Sequence, residues 1–204
     1  MAVLGQPPAP LLRAIMRLTE LHDAFDTHPW VGKGASRRTC VQSSLAARDF
    51  LQAEGFPAEA ASVAMVIRAM KDGTQTLLHV TGMESFQPSK GKEWRGHMVV
   101  TVDGFLIDLT AYQFRFQQCS TLPGMIVCPI TKGMKPILGI EPLARIASRE
   151  GPGCVYHAAW LPTPENKGWH DDAASISVRE HVVRALRREP LKQHDQTGQE
   201  RPRL

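Results

Sequence analysis

The chain has 204 residues, 43% hydrophobic and 22% charged, which suits one domain with a substantial core. It contains no apolar run long enough to cross a bilayer, and residues 1–10 lack the basic-then-apolar pattern of a secretory signal, so a cytoplasmic protein with no membrane role is expected. The net charge of +4 and pI near 9.0 come without a basic stripe interleaved with aromatics; they read as a solubility feature, and a nucleic-acid partner is not expected.

Residues 1–34 read as an N-terminal extension. Gly5-Gln-Pro-Pro-Ala-Pro10 is a stiff lead-in. Leu11, Leu12, Ile15, Met16, Leu18, Leu21 and Phe25 then recur at helical spacing, predicting an amphipathic helix over 11–25. Pro29, Gly32 and Gly34 break that pattern. Thr39-Cys-Val-Gln42 fits a capping box, with Gln42 reaching back to the helix start. The helix it opens should run to about Glu54 and stop at Gly55, with Pro57 just beyond. Its apolar and small residues (Val41, Leu45, Ala46, Ala47, Phe50, Leu51) cover more than one face, which predicts a helix wedged into the core.

Strands are predicted over 61–70 and 74–81, turned by Lys71-Asp-Gly73. Residues 82–96, with Pro88 and Gly91, read as a polar loop. Segments 97–102 and 105–110 flank Asp103-Gly104, a strong hairpin signal. Further strands are expected over 125–129 and 155–161, a helix over 179–188, and a disordered tail over 190–204. Helices followed by mostly antiparallel strands define an α+β class.

Four cysteines, Cys40, Cys119, Cys128 and Cys154, form no C-x-x-C pair, so neither a zinc knuckle nor a redox motif is indicated. His157, His170 and His181 form no ligand-spaced set, and Trp169-His-Asp-Asp172 reads as a polar loop. No metal or cofactor is expected.

Among the cysteines, Cys40 stands at a helix start, where unpaired amides and the helix dipole favour negative charge on sulfur, and Arg37 and Arg38 precede it. The hairpin supplies partners. A two-residue Asp103-Gly104 turn pairs Val102 with Phe105, so that Val99 faces Asp108 and His97 faces Thr110. Opposed and alternate residues share a face of the sheet, which makes His97 and Asp108 diagonal neighbours within hydrogen-bonding reach. A Cys–His pair needs such a third group to fix the imidazole's tautomer and orientation.

The run Cys40-Val-Gln-Ser-Ser-Leu-Ala-Ala-Arg-Asp-Phe-Leu-Gln-Ala-Glu-Gly-Phe-Pro-Ala58 and the run His97-Met-Val-Val-Thr-Val-Asp-Gly-Phe-Leu-Ile-Asp-Leu-Thr110 resemble the two signatures of the transglutaminase-like core, a member of the papain-like cysteine peptidase superfamily. The resemblance spans about 36–112. It implies a catalytic domain over 35–189, with a nucleophile helix packed on an antiparallel sheet, Cys40 as nucleophile, His97 as general base and then acid, and Asp108 as the orienting carboxylate. It further implies acyl transfer on a peptide or protein amide through a thioester. Two positions depart from the common pattern: Val99 where an aromatic is frequent, and Leu109 where a proline often follows the aspartate. Arylamine N-acetyltransferases share the triad, but their Arg-Gly-Gly-x-Cys context is absent from Arg37-Arg-Thr-Cys40. The rival expectations are a catalytically silent papain-like module that binds a protein, and a basic protein associated with nucleic acid. For the second oxyanion donor, Trp30 and Trp94 are candidates through their indole N–H.

Overall fold

The computed structural model describes residues 1–29, 31–34, 39–71, 74–81, 96–114, 123–149, 154–164 and 173–189. Helix α1 (Ala9–Arg17) opens with Pro10 in its first turn, where the missing N–H has no intrahelical acceptor to lose. A 3₁₀ turn (Leu18–Glu20) leads into α2 (Leu21–Asp26). The helix expected over 11–25 is thus interrupted, yet Leu11, Ile15, Leu18, Leu21 and Phe25 are all buried. Leu18 and Leu21 are three residues apart, and a turn of three residues keeps both on the core side.

Helix α3 (Cys40–Ala53) begins at Cys40 and packs against α4 (Ala173–Arg187). The capping box is not formed. Thr39 is the N-cap, but its side chain makes no capping bond. Gln42 turns away from the helix start instead, donating from Nε2 to Ser175 Oγ of α4 at 2.9 Å. The other end matches expectation: Gly55 takes the left-handed conformation, φ +88°, that lets the chain leave the helix. Residues on several faces of α3, among them Val41, Leu45, Ala46, Phe50 and Leu51, are buried, as a helix set within the core requires.

The described strands form one mixed sheet of eight, β1 (Ala2–Val3), β2 (Glu59–Lys71), β3 (Thr74–Thr81), β4 (His97–Val102), β5 (Phe105–Asp108), β6 (Ile126–Pro129), β7 (Ala144–Arg149) and β8 (Cys154–Pro162). Their order is β1-β6-β5-β4-β2-β8-β7, with β3 also on β2. Only β1 and β6 run parallel among these pairs. Strand β2 organises the sheet. Its first half (59–63) pairs with β4 and its second half (65–71) with β3, while β8 runs along 63–71. A strand has two edges, so β4 and β3 share one of them in succession and β8 takes the other. Strands β1 and β7 had no distinct signal in the sequence. Lys71 pairs with Thr74, while the turn residues 72–73 lie outside the described residues, as do most of the predicted loop over 82–96 and all of the tail over 190–204.

Each face of the sheet covers a core. Val100, Val102, Ile107 and Val127 meet α1, α2, α3 and α4, so the helices of residues 1–34 belong to the same core as the two later ones. The opposite face gathers Val63, Met65, Val99, Leu106, Ile126, Cys128 and Trp160 into a second core. Each fully buried leucine or phenylalanine contributes roughly 1.5–3 kcal/mol. Among the described residues, no helix is long and apolar enough to cross a membrane.

Candidate active site

The β4–β5 hairpin has the register that the two-residue turn demands: Val102 pairs with Phe105, Thr101 with Leu106 and Val100 with Ile107. Asp103 and Gly104 both take positive φ, 46° and 79°, the geometry that matches the twist of the flanking strands. Alternation then turns Met98 and Val100 toward the helices and His97 and Val99 toward the second core. His97 Nε2 lies 2.8 Å from Asp108 Oδ2, the diagonal contact expected from register.

Asp108 accepts from three donors. Trp160 Nε1 of β8 donates to the same Oδ2 at 2.8 Å, and the Thr110 amide donates to Oδ1 at 3.0 Å. That last bond is an Asx turn; it draws the chain out of the strand and into a short 3₁₀ turn (Ala111–Phe114). With Asp108 at 0% exposure and His97 at 1%, an unpaired charge would be costly. Three converging donors offset that cost for the carboxylate.

Cys40 reaches the same place from the other side of β4. It is half-buried and packs with Val41, Leu45, Met98 and Ala60. One helical turn on, Ser44 is buried, and its Oγ donates to the Met98 carbonyl at 2.8 Å. Positions i and i+4 share a helix face, so this bond fixes the height of Cys40 against the residue next to His97. Helix and strand are thereby locked in register.

The charge balance around His97 joins the three residues. Burial acts to lower its pKa. The charge of Asp108, the hydrogen bond to Asp108, and the interaction with Cys40 together outweigh burial and raise it to about 10. With Nε2 engaged by Asp108, Nδ1 is the ring atom through which a proton can pass to or from Cys40. The thiol of Cys128 is different: burial, with the Asp108 charge adding to it, pushes it up to about 12, so it stays protonated and inert.

The structure thus brings together Cys40, His97 and Asp108. Trp30, Trp94, Arg37, Arg38, Cys119 and His170 lie outside the described residues, and no His, Cys, Asp or Glu cluster suited to a metal occurs among the described ones. Sequence reasoning missed Trp160 and Ser44. The available signal for Trp160 was weak: a buried indole N–H needs an acceptor, but nothing local identifies a carboxylate 52 residues away. Comparison of the chain with family models, with curated proteins and with solved structures finds no match in any of the three.

Proposed function

We propose that the chain is a cysteine-dependent hydrolase or acyltransferase of the papain-like, transglutaminase-like kind, acting on a peptide or protein amide through a thioester at Cys40. The observation that carries this reading is the buried His97–Asp108 bond at 2.8 Å on an imidazole that also interacts with Cys40. A nucleophile helix packed on an antiparallel hairpin that carries the other two residues is the arrangement the sequence resemblance implies.

In the reactive form the thiol proton resides on His97 and Asp108 holds the ring. The Cys40 thiolate attacks the amide carbonyl, forming the C–S bond and moving the carbonyl π pair onto oxygen. The Cys40 amide, first of the helix and without an intrahelical acceptor, can donate to that oxyanion. Collapse re-forms the carbonyl and expels the amine, which takes the proton from His97. Now neutral, His97 removes a proton from water or an acceptor amine as it attacks the thioester, and the proton returns with the departing sulfur.

The reading is tested with a thiol-directed acyl probe near neutral pH and mass mapping of the labelled peptide. Preferential labelling of Cys40 over Cys128, lost in His97→Ala, supports it. Equal or slower labelling of Cys40 would favour a silent module that binds a protein.

A further inference from the structure

A cavity of about 230 Å³ lies on the sheet face opposite Trp160 and is lined by Val66, Arg68, Ile137, Arg145, His157, Ala158 and Ala159. Its composition follows from register. On β2, Val66 and Arg68 alternate on one face; Ala159 and His157 of β8 oppose them, and Arg145 of β7 opposes Ala159. Two guanidinium groups and an imidazole therefore converge over a floor of valine and alanine. No carboxylate lines the cavity among the described residues.

Two features hold the cavity's walls in place. Arg145 donates from a guanidinium nitrogen to the Lys135 carbonyl, which fixes its reach. Ile137 forms the side wall from a tight hairpin in which Ile137 and Ile140 exchange backbone hydrogen bonds of 2.9 and 3.0 Å. The hairpin turns at Leu138 and Gly139, φ 52° and 80°. A leucine in the left-handed region is strained, so the loop is held by its surroundings and is not freely chosen.

We propose that this cavity is an anion-binding site for a small molecule bearing a phosphate or carboxylate on a short apolar stem. Planar guanidinium forks suit oxyanions, pairing two N–H donors with two oxygens. The volume decides the size. At about 230 Å³ it falls below the roughly 300–1,000 Å³ of pockets that enclose a whole drug-sized ligand. A head group with a few carbons fits, and the apolar floor and Ile137 receive the stem. Because His157 and Trp160 point to opposite faces of β8, this site and the Cys40 site are separated by the sheet, and neither assignment depends on the other.

The experiment is a titration of the full chain with inorganic phosphate, phenyl phosphate and benzoate, followed by NMR of the arginine side-chain N–H and histidine ring resonances. Saturable shifts at Arg68, Arg145 and His157 are expected, with phenyl phosphate tighter than inorganic phosphate because of its stem. The stronger of phenyl phosphate and benzoate identifies the head group. Arg145→Gln, on an exposed position of β7, should weaken binding about tenfold or more with unchanged circular dichroism. Arg68→Gln should act in the same direction; because Arg68 lies in the central strand, Arg145→Gln carries the test if that variant fails to fold. Cys40→Ala should bind as the parent does. Shifts that do not saturate, shifts spread evenly over all arginines, or an Arg145→Gln variant with parental affinity would overturn the proposal.

Discussion

The surroundings of Cys40 and Cys128 differ in a way that composition could not reveal. Cys40 opens a helix, stays half-buried and shares a proton-bearing partner with Asp108. Cys128 lies in β6, 1% exposed, beside the same carboxylate but with apolar neighbours. One negative charge therefore acts in two directions: it raises the pKa of the imidazole that interacts with one sulfur, and it adds to burial in keeping the proton on the other. On the proposed reading, what separates the nucleophile from a packing residue is whether an imidazole stands between thiol and carboxylate.

The largest expected effect tests that contrast directly. Cys40→Ala should abolish covalent labelling and turnover, whereas Cys128→Ala should leave both in place and cost about 1 kcal/mol in urea unfolding. If the two variants behave alike, the contrast fails.

Asp108→Asn comes next, with turnover falling by about 10²–10⁴-fold. It also shifts the pH dependence. His97 has its pKa raised from 6.5 to about 10, so the pair's contribution to stability is fully present below about 6.5 and is lost as pH rises through about 10. Denaturant midpoints measured across that window should fall toward the alkaline end in the parent. In Asp108→Asn the fall should shrink and move toward neutral pH.

Trp160→Phe removes one donor from Asp108 while keeping an aromatic ring in the core. Hydrogen bonds to charged groups are worth about 1.5–3 kcal/mol, and a stability loss in that range is expected, together with a displaced alkaline limb of activity. A loss of stability with an unmoved pH profile would mean that the indole only fills space. The smallest effect belongs to Ser44→Ala, about 1 kcal/mol. Because the Ser44 bond sets the height of Cys40 against β4, kcat should fall more than KM rises, as steady-state kinetics can resolve.

Much of this site was legible because it is local. The Asp103-Gly104 turn determines the pairing of its strands, and that pairing alone makes His97 and Asp108 neighbours. The boundaries of β3 and β4 were readable for the same reason, through alternation and turns. Gln42 misled because a capping box is a preference for an otherwise unoccupied side chain, and Ser175 of α4 offered it another partner. Strand β1 depends on β6, a partner distant in sequence, and β7, though next to β8 in the chain, mixes polar and small residues that carry little pattern of their own. The cavity of Arg68, Arg145 and His157 was hidden likewise, since three separate strands contribute to it.

The indole that holds Asp108 has a consequence for how the chain is made. During synthesis the helix with Cys40 and the hairpin with His97 and Asp108 emerge well before Trp160, which follows Asp108 by 52 residues. Trp160 reaches the carboxylate only after β8 docks along β2, a long-range pairing of the kind that forms slowly. Until then the nascent chain carries Cys40 and His97 beside an Asp108 carboxylate that lacks its indole partner. Completion of the site is thus tied to completion of the sheet, and on the proposed reading a ribosome-bound chain halted before β8 should carry Cys40, His97 and Asp108 without labelling at Cys40.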